Sequence, residues 1–207
     1  MMVKVKICGV GNAGDALAAA SAGADAVGFN FYRPSPRYID PERAHAIRLN
    51  LPPFLAAVGV FVDKPPESVR EIAEYCGLDY VQLHGHESPM TVSRLKDLGV
   101  IKAIRVGDDE DLGQIEKYDA AAFLLDTRVE GTPGGTGKTF DWKIARRAAS
   151  RARIVLAGGL TPENVADAVR IVRPYAVDVA SGVEEEPGQK SRKLVEEFVR
   201  CAKEVAL

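Results

Sequence analysis

Short apolar, β-branched runs alternate with stretches of helical periodicity from residue 3 to the C-terminal end. The runs fall at 3–8, 26–31, 55–62, 80–83, 101–106, 121–126, 154–157 and 176–180, eight in all. Helical patterns follow them at 13–22, 41–49, 66–76, 89–98, 109–117, 141–150, 162–172 and 191–205. Apolar residues spaced three and four apart mark one buried face of a helix, and a short β-branched run marks a strand. Several helical patterns open on a capping residue followed by proline, as in Asp40-Pro41-Glu42 and Thr161-Pro162-Glu163, where the missing N–H costs nothing. Eight strand–helix units without a long linker or a domain-sized insertion predict an α/β fold, a closed eight-stranded parallel (β/α)8 barrel formed by one domain over 1–207. An open doubly wound sheet fits this count less well. The one long connection, 127–139, carries glycines at 131, 134, 135 and 137 and is expected to act as a lid.

Composition narrows the class of function. The apolar fraction of 46% supports a sizeable core, and 27 Lys and Arg against 29 Asp and Glu leave a charge of −2. Neither a basic excess nor a basic block tracks a nucleic-acid backbone, so no nucleic-acid partner is expected. The longest apolar run, near 54–62, is far shorter than a membrane span, and the first residues hold no uninterrupted apolar core of a leader. The expectation is a soluble, cytoplasmic protein without a membrane partner. Three scattered cysteines, Cys8, Cys76 and Cys201, show neither a disulfide framework nor zinc-ligand spacing, so no metal is expected. Cys76 and Cys201, on helical stretches, read as buried, inert thiols.

In a barrel the chemistry gathers at the C-terminal ends of the strands. Period-2 alternation sorts the side chains there. Asp126 shares a face with Ala122 and Leu124, against bulky Phe123 and Leu125, and so points inward. Gln82 and His84 share the inward face of the fourth strand, and both are expected to bind substrate, His84 by donating a hydrogen bond rather than by acting as a base. Cys8 shares its face with Lys6. A buried lysine needs a partner, and Asp178 on the eighth strand neighbours the first once the barrel closes. An interior ion pair is the preferred reading of Lys6 over a direct catalytic role. An ammonium beside Cys8 is expected to enrich its thiolate and make it a usable proton acceptor. Two turns, Ala157-Gly158-Gly159-Leu160 and Ala180-Ser181-Gly182-Val183, follow strands seven and eight, where barrels often bind phosphate. Together they favour a small phosphorylated ligand. Arg37, stiffened by neighbouring prolines, is placed to take a carboxylate through its planar fork, whereas Arg33 reads as a solvated charge. His45 and His86 read as solvated.

The ordered motifs Lys6-Ile7-Cys8-Gly9, Gly28-Phe29-Asn30-Phe31, Ser35-Pro36-Arg37-Tyr38, Val58-Gly59-Val60-Phe61-Val62 and Val81-Gln82-Leu83-His84-Gly85 continue through Leu125-Asp126, Gly134-Gly135-Thr136-Gly137-Lys138-Thr139-Phe140-Asp141-Trp142, Leu156-Ala157-Gly158-Gly159-Leu160 and Asp178-Val179-Ala180-Ser181-Gly182-Val183-Glu184. With them the chain resembles the phosphoribosylanthranilate isomerases, TIM barrels of tryptophan biosynthesis, over essentially its whole length. The resemblance implies that Cys8 is the general base and Asp126 the general acid. It also implies that Arg37 binds the anthranilate carboxylate, and that Gly158, Gly159, Ser181 and Gly182 hold the phosphate. The implied reaction is an Amadori rearrangement that needs no cofactor, in a monomer or a homodimer. Two departures, Val10-Gly11-Asn12 after Cys8-Gly9 and Ser191 in place of an acidic residue, leave the entries to the first and last helices open. Another phosphate-binding barrel isomerase with paired aspartates is disfavoured by Cys8, and a metal-dependent epimerase by the scarcity of inward histidines. A non-catalytic phosphometabolite-binding barrel leaves the acid and base pair unexplained.

Overall fold

The computed structural model describes residues 2–127 and 141–205, so the glycine-rich stretch expected to act as a lid lies almost wholly outside the described residues. Eight parallel strands close a barrel in the order β1-β2-β3-β4-β5-β6-β7-β8, the TIM-barrel arrangement. They are β1 (Lys4–Cys8), β2 (Ala26–Asn30), β3 (Ala56–Phe61), β4 (Tyr80–Leu83), β5 (Val100–Val106), β6 (Ala122–Thr127), β7 (Ile154–Leu156) and β8 (Ala176–Val179). Closure is made by β1 on β8, and its register sets Lys6 directly opposite Asp178.

Alternation along the strands produces two packed layers. Phe123 and Leu125 join the large core between strands and helices. Ala122 and Leu124 face the lumen instead, with Val58, Ile101, Ala103, Val155, Ala157 and Ala176. These lumen residues divide evenly between alanines and branched aliphatics, which fill a closed eight-stranded interior as a packed core. The inward parity assigned to Asp126 is the parity of that layer.

The helices are α1 (Ala13–Ser21), α2 (Pro41–Arg48), α3 (Pro66–Cys76), α4 (Pro89–Arg94), α5 (Trp142–Ala149), α6 (Val165–Val172) and α7 (Arg192–Lys203). The Asp40 and Ser88 side chains accept from the backbone N–H of Arg43 and Thr91, each just ahead of an N-terminal proline. Asn12, one of the departures noted above, caps α1 by accepting from the Asp15 N–H at 2.9 Å. The structure differs from the sequence reading in four places. The stretch 109–117 forms 3₁₀ turns over Glu110–Lys117 rather than an α-helix. The 89–98 helix breaks at Leu95 into a 3₁₀ turn that Gly99 ends in the left-handed region. Helix α6 begins at Val165 rather than at 162, because the Asn164 side chain accepts from Thr161 N–H and donates to the Gly159 carbonyl, both at 2.9 Å. Finally, after β8 a small hairpin of β9 (Glu184–Glu186) and β10 (Gln189–Lys190) precedes α7.

Among the other expectations, Cys76 is buried, but Cys201 is only half-buried. His45 is only partly solvated: its ring packs on Tyr75 at 4.9 Å, with a buried Nδ1 that has no hydrogen-bond partner among the described residues. Arg33 is exposed, and so is His86. Among the described residues no helix is long and apolar enough to cross a membrane.

Candidate active site

A cavity of about 630 Å³ opens at the C-terminal ends of the strands. Cys8, Arg37, Gln82, His84 and Asp126 all line it, together with the turns after β7 and β8. The sequence-predicted residues are therefore brought to one mouth.

Strand β1 carries Lys6 and Cys8 into the lumen. Gly28 on the adjacent β2 makes room for both, since a Cβ there would lie 2.9 Å from the Cys8 Sγ and 3.2 Å from the Lys6 Cε. The Lys6 ammonium donates to Asp178 at 2.7 Å and to the Gln82 side-chain oxygen at 2.9 Å, with the lysine and the aspartate both buried. The expected interior ion pair is thus present. Burial alone would depress the ammonium, but the negative groups Asp178 and Cys8 outweigh it and hold its pKa up at about 12.

The expectation that Lys6 would favour the Cys8 thiolate needs correction. The thiol is buried, and burial disfavours the charged form more than any other influence here. Asp178 adds to that effect, and the opposing pull of Lys6 and Lys190 is too small to reverse it, so the Cys8 pKa is raised.

Lysine fixes the polarity of the next link. An ammonium only donates, so the Gln82 oxygen faces Lys6 and its NH2 faces His84. The Gln82 Nε2 lies 2.9 Å from the His84 Nδ1, which must accept. The neutral His84 ring therefore carries its proton on Nε2, the atom 3.4 Å from an Asp126 carboxylate oxygen. The result is one connected row, Asp178–Lys6–Gln82–His84–Asp126, from β8 through β1 and β4 to β6.

Arg37 leaves the loop after β2. Its backbone N–H donates to the Ser35 hydroxyl, which also accepts from the Asn30 side chain. Its Nε and Nη2 each donate to Glu184 at 2.7 Å. Glu184 in turn accepts from the buried Lys190 ammonium at 2.7 Å, and Lys190 also donates to the Ala180 carbonyl at 3.0 Å. Burial pushes the Lys190 pKa down, whereas at Glu184 the two cations outweigh burial and lower the carboxyl. Sequence reading gave neither residue a role. Glu184 closes a quoted motif, so a signal existed. Lys190 left none.

In the first glycine turn Gly158 and Gly159 take φ of +82° and +65°. The second turn packs against it so closely that a Cβ on Gly182 would lie 1.9 Å from the Leu160 carbonyl oxygen. A backbone-lined concavity of this kind suits an anion. A further unforeseen element is the buried pair of Lys102 on β5 with Glu87, at 2.8 Å. Glu87 also accepts from the backbone N–H of Asp63 and Gly85 and so fixes the loop behind His84.

Residues 5–201 match a family model described as N-(5'phosphoribosyl)anthranilate (PRA) isomerase. The chain is 52% identical over 203 residues to the N-(5'-phosphoribosyl)anthranilate isomerase of Pelobacter propionicus, covering 98% of this chain and 97% of that one. It is 53% identical over 205 residues to the protein of the same name from Rubrobacter xylanophilus, covering 98% and 100%. The crystal structure of phosphoribosyl anthranilate isomerase from Thermotoga maritima superposes with a TM-score of 0.93 at 46% identity, covering 99% of this chain and 100% of that one. A further structure of the enzyme, in complex with reduced 1-(o-carboxyphenylamino)-1-deoxyribulose 5-phosphate, gives 0.89 at 44% identity, with the same coverage. By sequence over nearly its full length and by fold, this chain belongs to the phosphoribosylanthranilate isomerase family.

Proposed function

We propose that Cys8 and Asp126 are the base and the acid of the family's reaction, the Amadori rearrangement of N-(5′-phosphoribosyl)anthranilate to 1-(2-carboxyphenylamino)-1-deoxyribulose 5-phosphate in tryptophan biosynthesis. Asp126 gives a proton to the ribose ring oxygen as the C1′–O bond breaks, and the nitrogen lone pair forms an iminium. The Cys8 thiolate then removes the proton from C2′, and the electron pair of that C–H bond neutralises the iminium as an enolamine. Tautomerisation yields the ketone. Each step is a proton transfer or a bond shift within the substrate, which side chains can supply without a metal or an organic cofactor.

The remaining residues bind and orient. Arg37 takes the anthranilate carboxylate, and Gly158, Gly159, Ser181 and Gly182 take the phosphate at the backbone. His84 presents its Nε2–H to the substrate beside Asp126. Gln82 is fully buried and spends its carboxamide on Lys6 and His84, so its part is to hold the His84 tautomer. The observation that carries this reading is that a thiol and a carboxyl, 118 positions apart in sequence, line one cavity together with the glycine-bearing turns after β7 and β8. We read the place of action as the cytoplasm and the assembly as a homodimer, on the likeness to a Thermotoga maritima relative described as dimeric.

The substrate is short-lived, so the test generates it from anthranilate and phosphoribosyl pyrophosphate with the preceding transferase and follows loss of its fluorescence. Cys8→Ala and Asp126→Asn are each expected to lower turnover by about 10²–10⁴-fold, the usual contribution of one positioned acid or base. Near-full turnover in either variant would remove that residue from the mechanism.

A further inference from the structure

The fork of Arg37 has two edges, and the protein itself occupies one. Its Nε and Nη2 lie on Glu184, so that edge is closed to substrate. A guanidinium has five N–H groups, which leaves the Nη1 pair and the second Nη2 proton. Among the described residues none of these has a protein acceptor, and Arg37 lines the cavity.

Glu184 does not behave as a placeholder that substrate displaces. Its side chain is only 4% exposed, and Lys190, 1% exposed, donates to the same carboxylate oxygen that accepts from the Arg37 Nε. Moving Glu184 away would strand a buried ammonium, a heavy cost. The surrounding backbone is fitted to the same arrangement. Gly9, at φ +75°, leaves space for the Arg37 stem, since a Cβ there would lie 2.6 Å from the Arg37 Cδ. Gly188, at φ +88°, brings the tip of the hairpin under Pro36, where a Cβ would sit 2.8 Å from the Pro36 carbonyl oxygen. Two cations and one anion give the trio a net charge of +1, which an incoming carboxylate can neutralise.

We infer that Glu184, fixed by Lys190, is a positioning residue for substrate specificity: it locks one edge of the Arg37 fork so that the other presents a preoriented bidentate site to the carboxylate on the substrate's aromatic ring. This rests on the reading of Arg37 as the carboxylate-binding residue. An arginine held this way selects for the ortho-carboxylate geometry, because its plane cannot turn to follow a carboxylate elsewhere or to relax when none is present.

The test compares two stable ligands by calorimetry. One is the reduced Amadori product of ribose 5-phosphate with anthranilate, the other the same compound made with aniline, which lacks the carboxylate. The readout is the ratio of their Kd values. Loss of folded protein lowers the number of sites for both ligands alike and leaves the ratio unchanged, so a merely structural role for Glu184 predicts no effect. Glu184→Gln is expected to cut the preference for the carboxylated ligand about tenfold, the scale of one charge-assisted contact, while binding of the aniline compound stays constant. Glu184→Asp keeps the charge but withdraws it by one methylene, and is expected to lose part of the preference even if the glutamine variant does not fold. A wild-type ratio in the folded variants overturns the inference. Arg37→Met separates it from its premise: if that variant keeps the ratio, Arg37 does not bind the carboxylate at all, whereas if it loses the ratio and the Glu184 variants keep it, only the positioning role fails.

Discussion

The Cys8 thiol, proposed above as the base, is buried beside two ammonium groups and a carboxylate. At Cys8 burial and Asp178 prevail, so the protonated form is favoured beyond the ordinary range. Alkylation by iodoacetamide, followed at the Cys8 peptide by mass spectrometry, should therefore reach half its maximal rate above the usual thiol value of about 8.5. Asp178→Asn removes a group that raises the pKa, so its midpoint should fall below that of the wild type. An unmoved midpoint would mean that the carboxylate is not felt at the sulfur. Lys6 makes a second prediction. Its pKa is held at about 12 against an ordinary 10.5, so folding favours the protonated lysine. The resulting stability is complete below pH 10.5 and is lost as pH rises through about 12. The urea midpoint should fall across that interval in the wild type and stay flatter in a Lys6→Met/Asp178→Leu double variant. Breaking the pair by Asp178→Ala alone should cost about 3–5 kcal/mol. Strand parity was enough to foresee the pairing. It could not foresee the direction of the Cys8 shift, which depends on how deeply β1 buries the sulfur.

At the scale of elements, long periodic segments were legible and short ones were not. All eight barrel strands lie at the predicted places because each has several residues of alternating or continuous apolar character. Strands β9 and β10 have three and two residues and are almost wholly polar, so no period exists to detect. Yet this hairpin supplies both Glu184 and Lys190. Likewise, helical spacing at 110–117 could not reveal that Gly113 and the carboxylates around it would yield 3₁₀ geometry. The two turns after β7 and β8 were visible as glycines, but their mutual contact was not. Gly182→Ala would drive a methyl group into the Leu160 carbonyl and separate the two turns. Competitive inhibition by ribose 5-phosphate should weaken at least about tenfold in that variant, comparable to the loss of one or two backbone hydrogen bonds to an anion. Unaltered inhibition would place the phosphate elsewhere.

Over the whole molecule, the mouth and its opposite rim divide the work. Phe54, just ahead of β3 and so at the N-terminal rim, is 101% exposed, and Leu49, at the C-terminal end of α2, is 72% exposed. Apolar side chains this bare are natural anchors between copies. Light scattering at micromolar concentration should give a dimer, and Phe54→Glu should give monomers that turn over normally, since the substitution lies far from the cavity. The lumen between those rims holds the row Asp178–Lys6–Gln82–His84–Asp126. Its middle member is a carboxamide. An amide can align dipoles and so relay a field, but it does not hand protons along unless it passes through its rare imidic form. With Cys8 as base and Asp126 as acid, every turnover leaves a surplus proton on sulfur and a deficit on oxygen. Among the described residues that row offers no conduit to cancel them, because the carboxamide interrupts it and Cys8 is not one of its members. Resetting both groups then falls to the open mouth of the cavity, and the row is an insulated link: influence crosses it, hydrogen does not.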